Sequence, residues 1–334
     1  MNKKIFIITG SAGFIGFHLA LKLLKKGYKV IGIDNLNNYY DVKLKKDRNK
    51  ILKKFKNYVF KKIDIRNIKN LDKVFKKRKI YCVIHLAAQA GVRYSLMNPK
   101  SYIDNNILGF FNVLDTLKKN KVKKFVYAST SSIYGLQKKF PLKERFNTDN
   151  PIQLYAATKK SNEVMSASYS YLYKIDTIGL RFFTVYGPWG RPDMALFKFT
   201  KNILNGKPID IFNKGKHVRD FTFVEDIVNG IFKIIVSNKI NLGSKIYNIG
   251  NGKKISLMKY IELIEKNLKK KSKKKYLSLQ KGDVIKTHSD TRLLKKDYNY
   301  YPNTSVENGV KKFIDWYISY FKNKSKKNKK IFNI

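Results

Sequence analysis

Tyr155 and Lys159, in Tyr155-Ala156-Ala157-Thr158-Lys159, set a phenol and an ammonium four residues apart on one face of a helix. A tyrosine with its ordinary pKa of about 10 is a poor base at neutral pH. An ammonium beside it favours the phenolate, and the pair can then accept a proton from a substrate hydroxyl. On its own this spacing is common on protein surfaces. Here it follows a strand ending in Ala128-Ser129-Thr130-Ser131-Ser132 and stands downstream of the glycine-rich loop Gly10-Ser11-Ala12-Gly13-Phe14-Ile15-Gly16.

That loop joins a β-branched strand, Ile5–Thr9, to a helix that opens with Phe14 and Ile15. Its three glycines allow a tight turn, a close approach of backbone N–H groups to a pyrophosphate, and close packing of helix on sheet. The helix beyond supplies the positive end of its dipole to the same anion. The second strand ends in Ile33-Asp34, eighteen residues past Gly16. A carboxylate there accepts both hydroxyls of an adenosine ribose and repels a 2′-phosphate, so the expected cofactor is NAD and not NADP.

Positioning these groups requires alternating strands and helices. Ile5–Thr9, Lys29–Ile33, Val59–Ile63, Cys82–Leu86, Lys124–Ala128 and Thr177–Phe182 read as strands. Phe14–Lys26, stopped by Gly27, reads as a helix, as do Tyr102–Lys118 and Leu154–Tyr173. The fold class is therefore α/β: a Rossmann-type doubly wound parallel sheet with a smaller C-terminal substrate-binding lobe. Residues 1–180 are assigned to the cofactor domain and 181–321 mainly to the lobe, with some segments returning to the sheet. Residues 322–334 are assigned to a basic, frayed tail, and the lysine-rich run from Leu268 to Lys275 reads as a linker.

The chain has 334 residues, 43% of them hydrophobic, and a net charge of +48. Such a field attracts polyanions. The lysines are spread along the chain, however, and no nucleic-acid-binding signature accompanies them, so no specific nucleic-acid partner is expected. A polyanion-binding protein on a reductase scaffold is the alternative from another class. Cys82 is the single cysteine. It rules out an internal disulfide, fits a reducing cytoplasm and reads as a packing residue. The four histidines lack metal-ligand spacing, and no apolar run approaches the ~20 residues that span a bilayer.

The spacing Gly-x-x-Gly-x-x-Gly, with the Tyr/Lys pair, resembles the extended short-chain dehydrogenases/reductases. Three segments sharpen the likeness: Asp34-Asn35-Leu36-Asn37-Asn38-Tyr39-Tyr40-Asp41, Ala88-Gln89-Ala90-Gly91-Val92-Arg93-Tyr94-Ser95, and the stretch from Leu180 to Phe197 that holds Thr184 and Arg191-Pro192-Asp193. With them the chain, to about residue 316, resembles the UDP-glucuronate 4-epimerases. The resemblance implies that Asp64-Ile65 hold the adenine and that Leu86-Ala87-Ala88 border the cofactor. It implies that Asn105 fixes the centre of the sheet, and that Asn35, Asn37, Ala128, Ser129 and Phe182 complete the cofactor site. It also implies a Thr130 hydroxyl bonded to the substrate oxygen that Tyr155 deprotonates, and a homodimer built from the helices containing Tyr102–Lys118 and Leu154–Tyr173.

The implied reaction oxidises C4 of a nucleotide-linked sugar, lets the 4-keto sugar turn over, and returns hydride to its other face. Sugar-nucleotide dehydratases and UDP-glucuronate decarboxylases carry carboxyl side chains just after the Thr, where this chain has Ser131 and Ser132. Simple UDP-glucose 4-epimerases carry Asn at Thr184. Thr130, Ser131, Ser132 and Thr184 could pin a uronate carboxylate and restrain loss of CO₂ from the β-keto acid, with Arg191 as the nearby cation. Arg219 matches the diphosphate-binding arginine, Asp283 is assigned to the uridine side, and Arg93 belongs to a family motif. A 4-epimerase of another UDP-hexose or UDP-uronate stays open at this stage.

Overall fold

Apolar residues at every position of Ile5-Phe6-Ile7-Ile8 require cover on both faces of the strand they form. The computed structural model, which describes residues 4–239 and 243–329, supplies it. Phe6 and Ile8 join one core cluster with Leu19, Leu23, Ile227 and Ile231, while Ile7 joins another with Val113, Leu114 and Phe125. The sheet strands are β1 (Ile5–Thr9), β2 (Lys29–Asp34), β3 (Tyr58–Lys62), β4 (Ile80–His85), β5 (Lys124–Thr130) and β6 (Asp176–Phe182). Further strands follow, of which β11 also joins this sheet: β7 (Thr184–Tyr186), β8 (Ile209–Phe212), β9 (Val218–Arg219), β10 (Phe221–Phe223), β11 (Ser244–Ile249), β12 (Ile255–Ser256) and β13 (Lys274–Leu277).

Seven strands form one parallel sheet in the order β11-β6-β5-β4-β1-β2-β3. The order reverses direction between β1 and β4, and a crevice opens beyond their carboxyl ends at that switch point. β11 comes from well beyond residue 181 and was not legible in the sequence, because Lys245 and Asn248 interrupt its apolar pattern.

Helices α1 (Phe14–Lys25), α2 (Val42–Leu52), α3 (Ile68–Phe75), α4 (Tyr94–Met97), α5 (Pro99–Tyr102), α6 (Gly109–Lys119) and α7 (Leu154–Tyr173) belong to the first half of the chain. The single helix expected over Tyr102–Lys118 is instead α5, a six-residue π-helical turn at Ile103–Leu108, and α6. α8 (Ala195–Leu204), α9 (Val224–Val236), α10 (Leu257–Leu268), α11 (Arg292–Tyr298) and α12 (Val306–Lys329) follow. α9 packs on the sheet beside α1, whereas α8, α10 and α12 close a separate core around Phe197, Ile261, Ile264 and Phe313.

Two basic runs differ from expectation. The stretch after Leu268 contains β13, paired with β8, and is organised by Glu265. That carboxylate accepts from Ser272 N (2.9 Å) and Lys274 Nζ (2.8 Å). Against the burial that would raise it, Lys274 and Ser272 hold Glu265 down at about 2. The expected frayed tail is helical in α12 as far as Lys329, and the remainder lies outside the described residues.

Candidate active site

The glycine loop is shaped by contacts that only hydrogen side chains allow. Gly10 has φ +73°, and a Cβ there would lie 2.8 Å from Ala87 N on the neighbouring strand end. A Cβ on Gly16 would lie 2.1 Å from the Gly10 carbonyl oxygen. Gly13 caps α1 without any side-chain bond, so the first-turn N–H groups stay free for an anion. Asp34 closes the loop from below, accepting from Ala12 N (3.1 Å) and Leu36 N (2.8 Å). A carboxylate has further lone pairs for a ribose hydroxyl. Burial raises the Asp34 pKa, opposed by those N–H bonds and by Lys45.

Arg48, fully buried, ties this loop to the second half of the chain. Its guanidinium donates to the carbonyls of Ala12 (2.9 Å) and Trp189 (2.6 Å). Gly10, Gly13, Phe14, Ile15, Gly16, Asp34, Asn35, Asn37, Ile65, Leu86, Ala87, Ala88 and Asn105 line a cavity of about 470 Å³ over the switch point. Ala128, Ser129, Thr130, Ser131, Ser132, Tyr155, Lys159, Phe182, Thr184, Arg191, Arg219 and Asp283 line the same cavity.

Asp64 stands outside it. Its carboxylate accepts from Asn35 Nδ2 (2.9 Å) and Arg66 Nη2 (2.8 Å), and it borders a shallow surface depression with Lys100 and Asp104. Of the expected adenine pair, only Ile65 reaches the cavity.

Tyr155 and Lys159 rise from the first two turns of α7. Burial pushes the Tyr155 phenol up, and the Thr130 hydroxyl and the Arg191 cation oppose that shift. Lys159, one turn further along the helix, is itself only 1% exposed, and burial brings it down to about 7 despite Glu163. Thr130 caps a 3₁₀ turn, Ser131–Tyr134, by accepting from Ser132 N (3.2 Å). The Ser/Thr run is thus both a hydrogen-bonded turn and a cavity wall.

Beyond Tyr155 the cavity continues into a second space of about 620 Å³, lined also by Arg93, Phe212, His217 and Tyr260. Here the charges are paired. Arg219 Nη2 donates to Asp283 Oδ1 (2.9 Å), with Arg93 3.7 Å from the same carboxylate. Arg191 Nε donates to Asp193 Oδ1 (3.0 Å), so its charge is already matched by a neighbour. Tyr39 donates to the same Asp193 at 3.3 Å.

Residues 6–250 match the NAD dependent epimerase/dehydratase family. The chain belongs to that family. Among its relatives, Protein CapI of Staphylococcus aureus is 49% identical over 95% of this chain and 99% of its own length. A probable UDP-glucuronate 4-epimerase of Rhizobium meliloti is 43% identical over 93% of this chain and 96% of its own. A crystal structure of UDP-glucuronic acid 4-epimerase from Bacillus cereus, in complex with UDP-glucuronic acid and NAD, superposes with a TM-score of 0.89 and 34% identity. The superposition covers 93% of this chain and 98% of that one.

Within this family member several cavity residues escaped the sequence reading. Lys45 is nearly buried and donates to Asn37 O (2.7 Å) and Oδ1 (2.6 Å); burial lowers it to about 8 despite Asp34. In a chain this rich in lysine nothing sets it apart from its exposed neighbours. Asn106, beside the expected Asn105, ties the loop after β4 to α7: it accepts from Gln89 N (2.8 Å) and donates to Thr158 Oγ1 (3.1 Å). Asn105 faces the cavity and donates to Ser101 O (2.7 Å). Cys82 is fully buried, with its thiol pushed up to about 12 by burial. Among the described residues no group of three or more His, Cys, Asp or Glu side chains could hold a metal ion, and no helix is long and apolar enough to cross a membrane.

Proposed function

We propose that this chain is an NAD-dependent UDP-glucuronate 4-epimerase that interconverts UDP-glucuronate and UDP-galacturonate. One observation carries the reading: Tyr155, Lys159 and Thr130 sit in one cavity between the glycine cradle with Asp34 and the wall of Ser131, Ser132, Thr184 and Arg219. The relatives and solved structures named for UDP-glucuronate epimerisation support it.

The glycine loop, the free N–H groups of α1 and Asp34 suit a dinucleotide, with pyrophosphate at the helix start and ribose at the carboxylate. NAD, when bound, supplies the hydride acceptor and donor. Tyr155 takes the proton from the sugar O4 and gives it back after the sugar has turned; Thr130 orients that oxygen; Lys159 stabilises the phenolate. Arg219 holds the diphosphate, about which the sugar rotates, exchanging its bond to Asp283 for phosphate oxygens. Ser131, Ser132 and Thr184 restrain the uronate carboxylate, keeping the β-keto acid from the alignment that expels CO₂.

Residues 1–180 carry the cofactor half of this work and 181–321 most of the sugar-nucleotide half. The chain acts in the cytoplasm as a homodimer and feeds surface polysaccharide synthesis. Apolar side chains left exposed on the helices expected to pair support the dimer: Ile103, Leu108 and Phe111 before and within α6, and Val164, Tyr171 and Leu172 on α7.

Replacing Tyr155 with Phe removes the proton acceptor and leaves the packing almost unchanged. Tyr155→Phe is expected to bind NAD normally while turnover of UDP-glucuronate falls by about 10²–10⁴-fold. Turnover near the parent's would overturn the assignment.

A further inference from the structure

Lys159 is a cation with little to solvate it. It lies on the inner face of α7, and its ammonium stands 6.0 Å from the centroid of the Phe110 ring on α6. His85, at the end of β4, is fully enclosed and hydrogen-bonds Thr9 Oγ1 through Nδ1 at 2.8 Å. Burial first, and the Lys159 charge second, hold that imidazole down at about 3, so it adds no countercharge. Tyr155 lies one turn before Lys159 and Glu163 one turn after, on the same helix face.

Glu163 is itself gripped from two strands of the sheet. Arg181 on β6 donates to it twice, Nε to Oε1 at 3.0 Å and Nη2 to Oε2 at 2.8 Å. The Ser129 hydroxyl on β5 donates to Oε1 at 2.6 Å. Arg181 is fixed in turn by the Tyr134 hydroxyl and the Glu144 carbonyl, each 3.0 Å away. Tyr127, fully buried on β5, completes the surroundings. This ion pair reaches neither the sugar nor the cofactor, because Glu163 and Arg181 are not among the residues that line the cavity.

We infer that Glu163, locked by Arg181 and Ser129, is a positioning residue that keeps the Lys159 ammonium charged, and so sets the upper pH limit of catalysis. The inference rests on the proposed roles of Tyr155 and Lys159. Its physical content is an unlike charge one helical turn away in a poorly solvated setting, where such an interaction is strong. Glu163 is the group that opposes the downward pull of burial on Lys159. The sign follows: Lys159 is charged below its pKa and loses that charge as pH rises through it. Removing the carboxylate moves the loss to lower pH.

The test is the pH dependence of kcat for UDP-glucuronate epimerisation. Glu163→Gln is expected to move the alkaline limb down by about one pH unit, and Glu163→Asp to restore it. Because Glu163→Gln leaves the buried Arg181 unpaired, the double variant Glu163→Gln/Arg181→Gln is measured alongside; its limb moves the same way by a smaller amount. A limb that stays at the parent's pH in whichever of these variants folds would overturn the inference and leave the pair a packing device. Lys159→Met separates this from failure of the underlying reading. Loss of turnover in Lys159→Met with an unmoved limb in the Glu163 variants defeats the inference alone, whereas full turnover with the parent's limb in Lys159→Met defeats both.

Discussion

The two halves of the cavity are made in different ways. On the cofactor side the walls are mostly backbone: Gly10, Gly13 and Gly16, the bare start of α1, and the N–H groups that Asp34 collects. On the sugar side the walls are side chains brought from distant segments and already paired, Arg219 with Asp283 across 64 residues and Arg191 with Asp193 two residues away. A backbone cradle fails when anything is added to it. A paired side-chain wall loses affinity in increments, because each partner keeps some of its bonds when one is removed.

The sharpest way to break this contrast is to add atoms to the cradle. In Gly16→Val the new Cβ would lie 2.1 Å from the Gly10 carbonyl oxygen, and the nearest atoms, from Gly10 and Ser11, are all backbone, so the loop must open. NAD affinity, measured by titration, is expected to fall by more than about 100-fold, the scale of a severe packing clash of ~3 kcal/mol; retained affinity would show that the cradle is pliable. On the sugar side, Arg219→Ala is expected to raise KM for UDP-glucuronate by about 10–100-fold, the loss of one charge-assisted bond, with NAD affinity unchanged. An equal fall in NAD affinity would mean that the halves are not separable. The smallest effect is expected from Asp34→Ala: a several-fold weaker NAD complex and a narrowed preference over NADP, read from parallel titrations. An unchanged ratio would remove Asp34 from the ribose.

The same contrast explains what was legible in the sequence. The cradle is a contiguous motif whose glycines are needed for backbone reasons, so its spacing could be read directly, as could Tyr155 and Lys159 one helical turn apart. Six sheet strands were legible because each is a short run rich in apolar residues, and Gly10, Asp34-Asn35 and Asp64 close the first three. β11 was not, since its lysine and asparagine make it look like a loop until β6 pairs with it. Lys45, Glu163 and Arg181 were hidden for another reason. Their importance lies in burial, and a one-dimensional pattern crowded with exposed lysines gives no sign of which few charges the fold turns inward. Asn105 and Asn106 show the finer limit: the π-helical turn that carries both decides which faces the cavity and which bonds the loop after β4 and α7.

The central claim is that this cavity epimerises a UDP-uronate and protects its 4-keto form. The direct test is to incubate the purified protein, supplied with NAD, with UDP-glucuronate and separately with UDP-glucose, following the products by NMR. UDP-galacturonate should accumulate from the first to an equilibrium mixture, with no pentose nucleotide, and the second should turn over at least tenfold more slowly, the discrimination that about 1.4 kcal/mol of carboxylate binding provides. Equal turnover of both sugars, or release of a decarboxylated product in place of the epimer, would contradict the account.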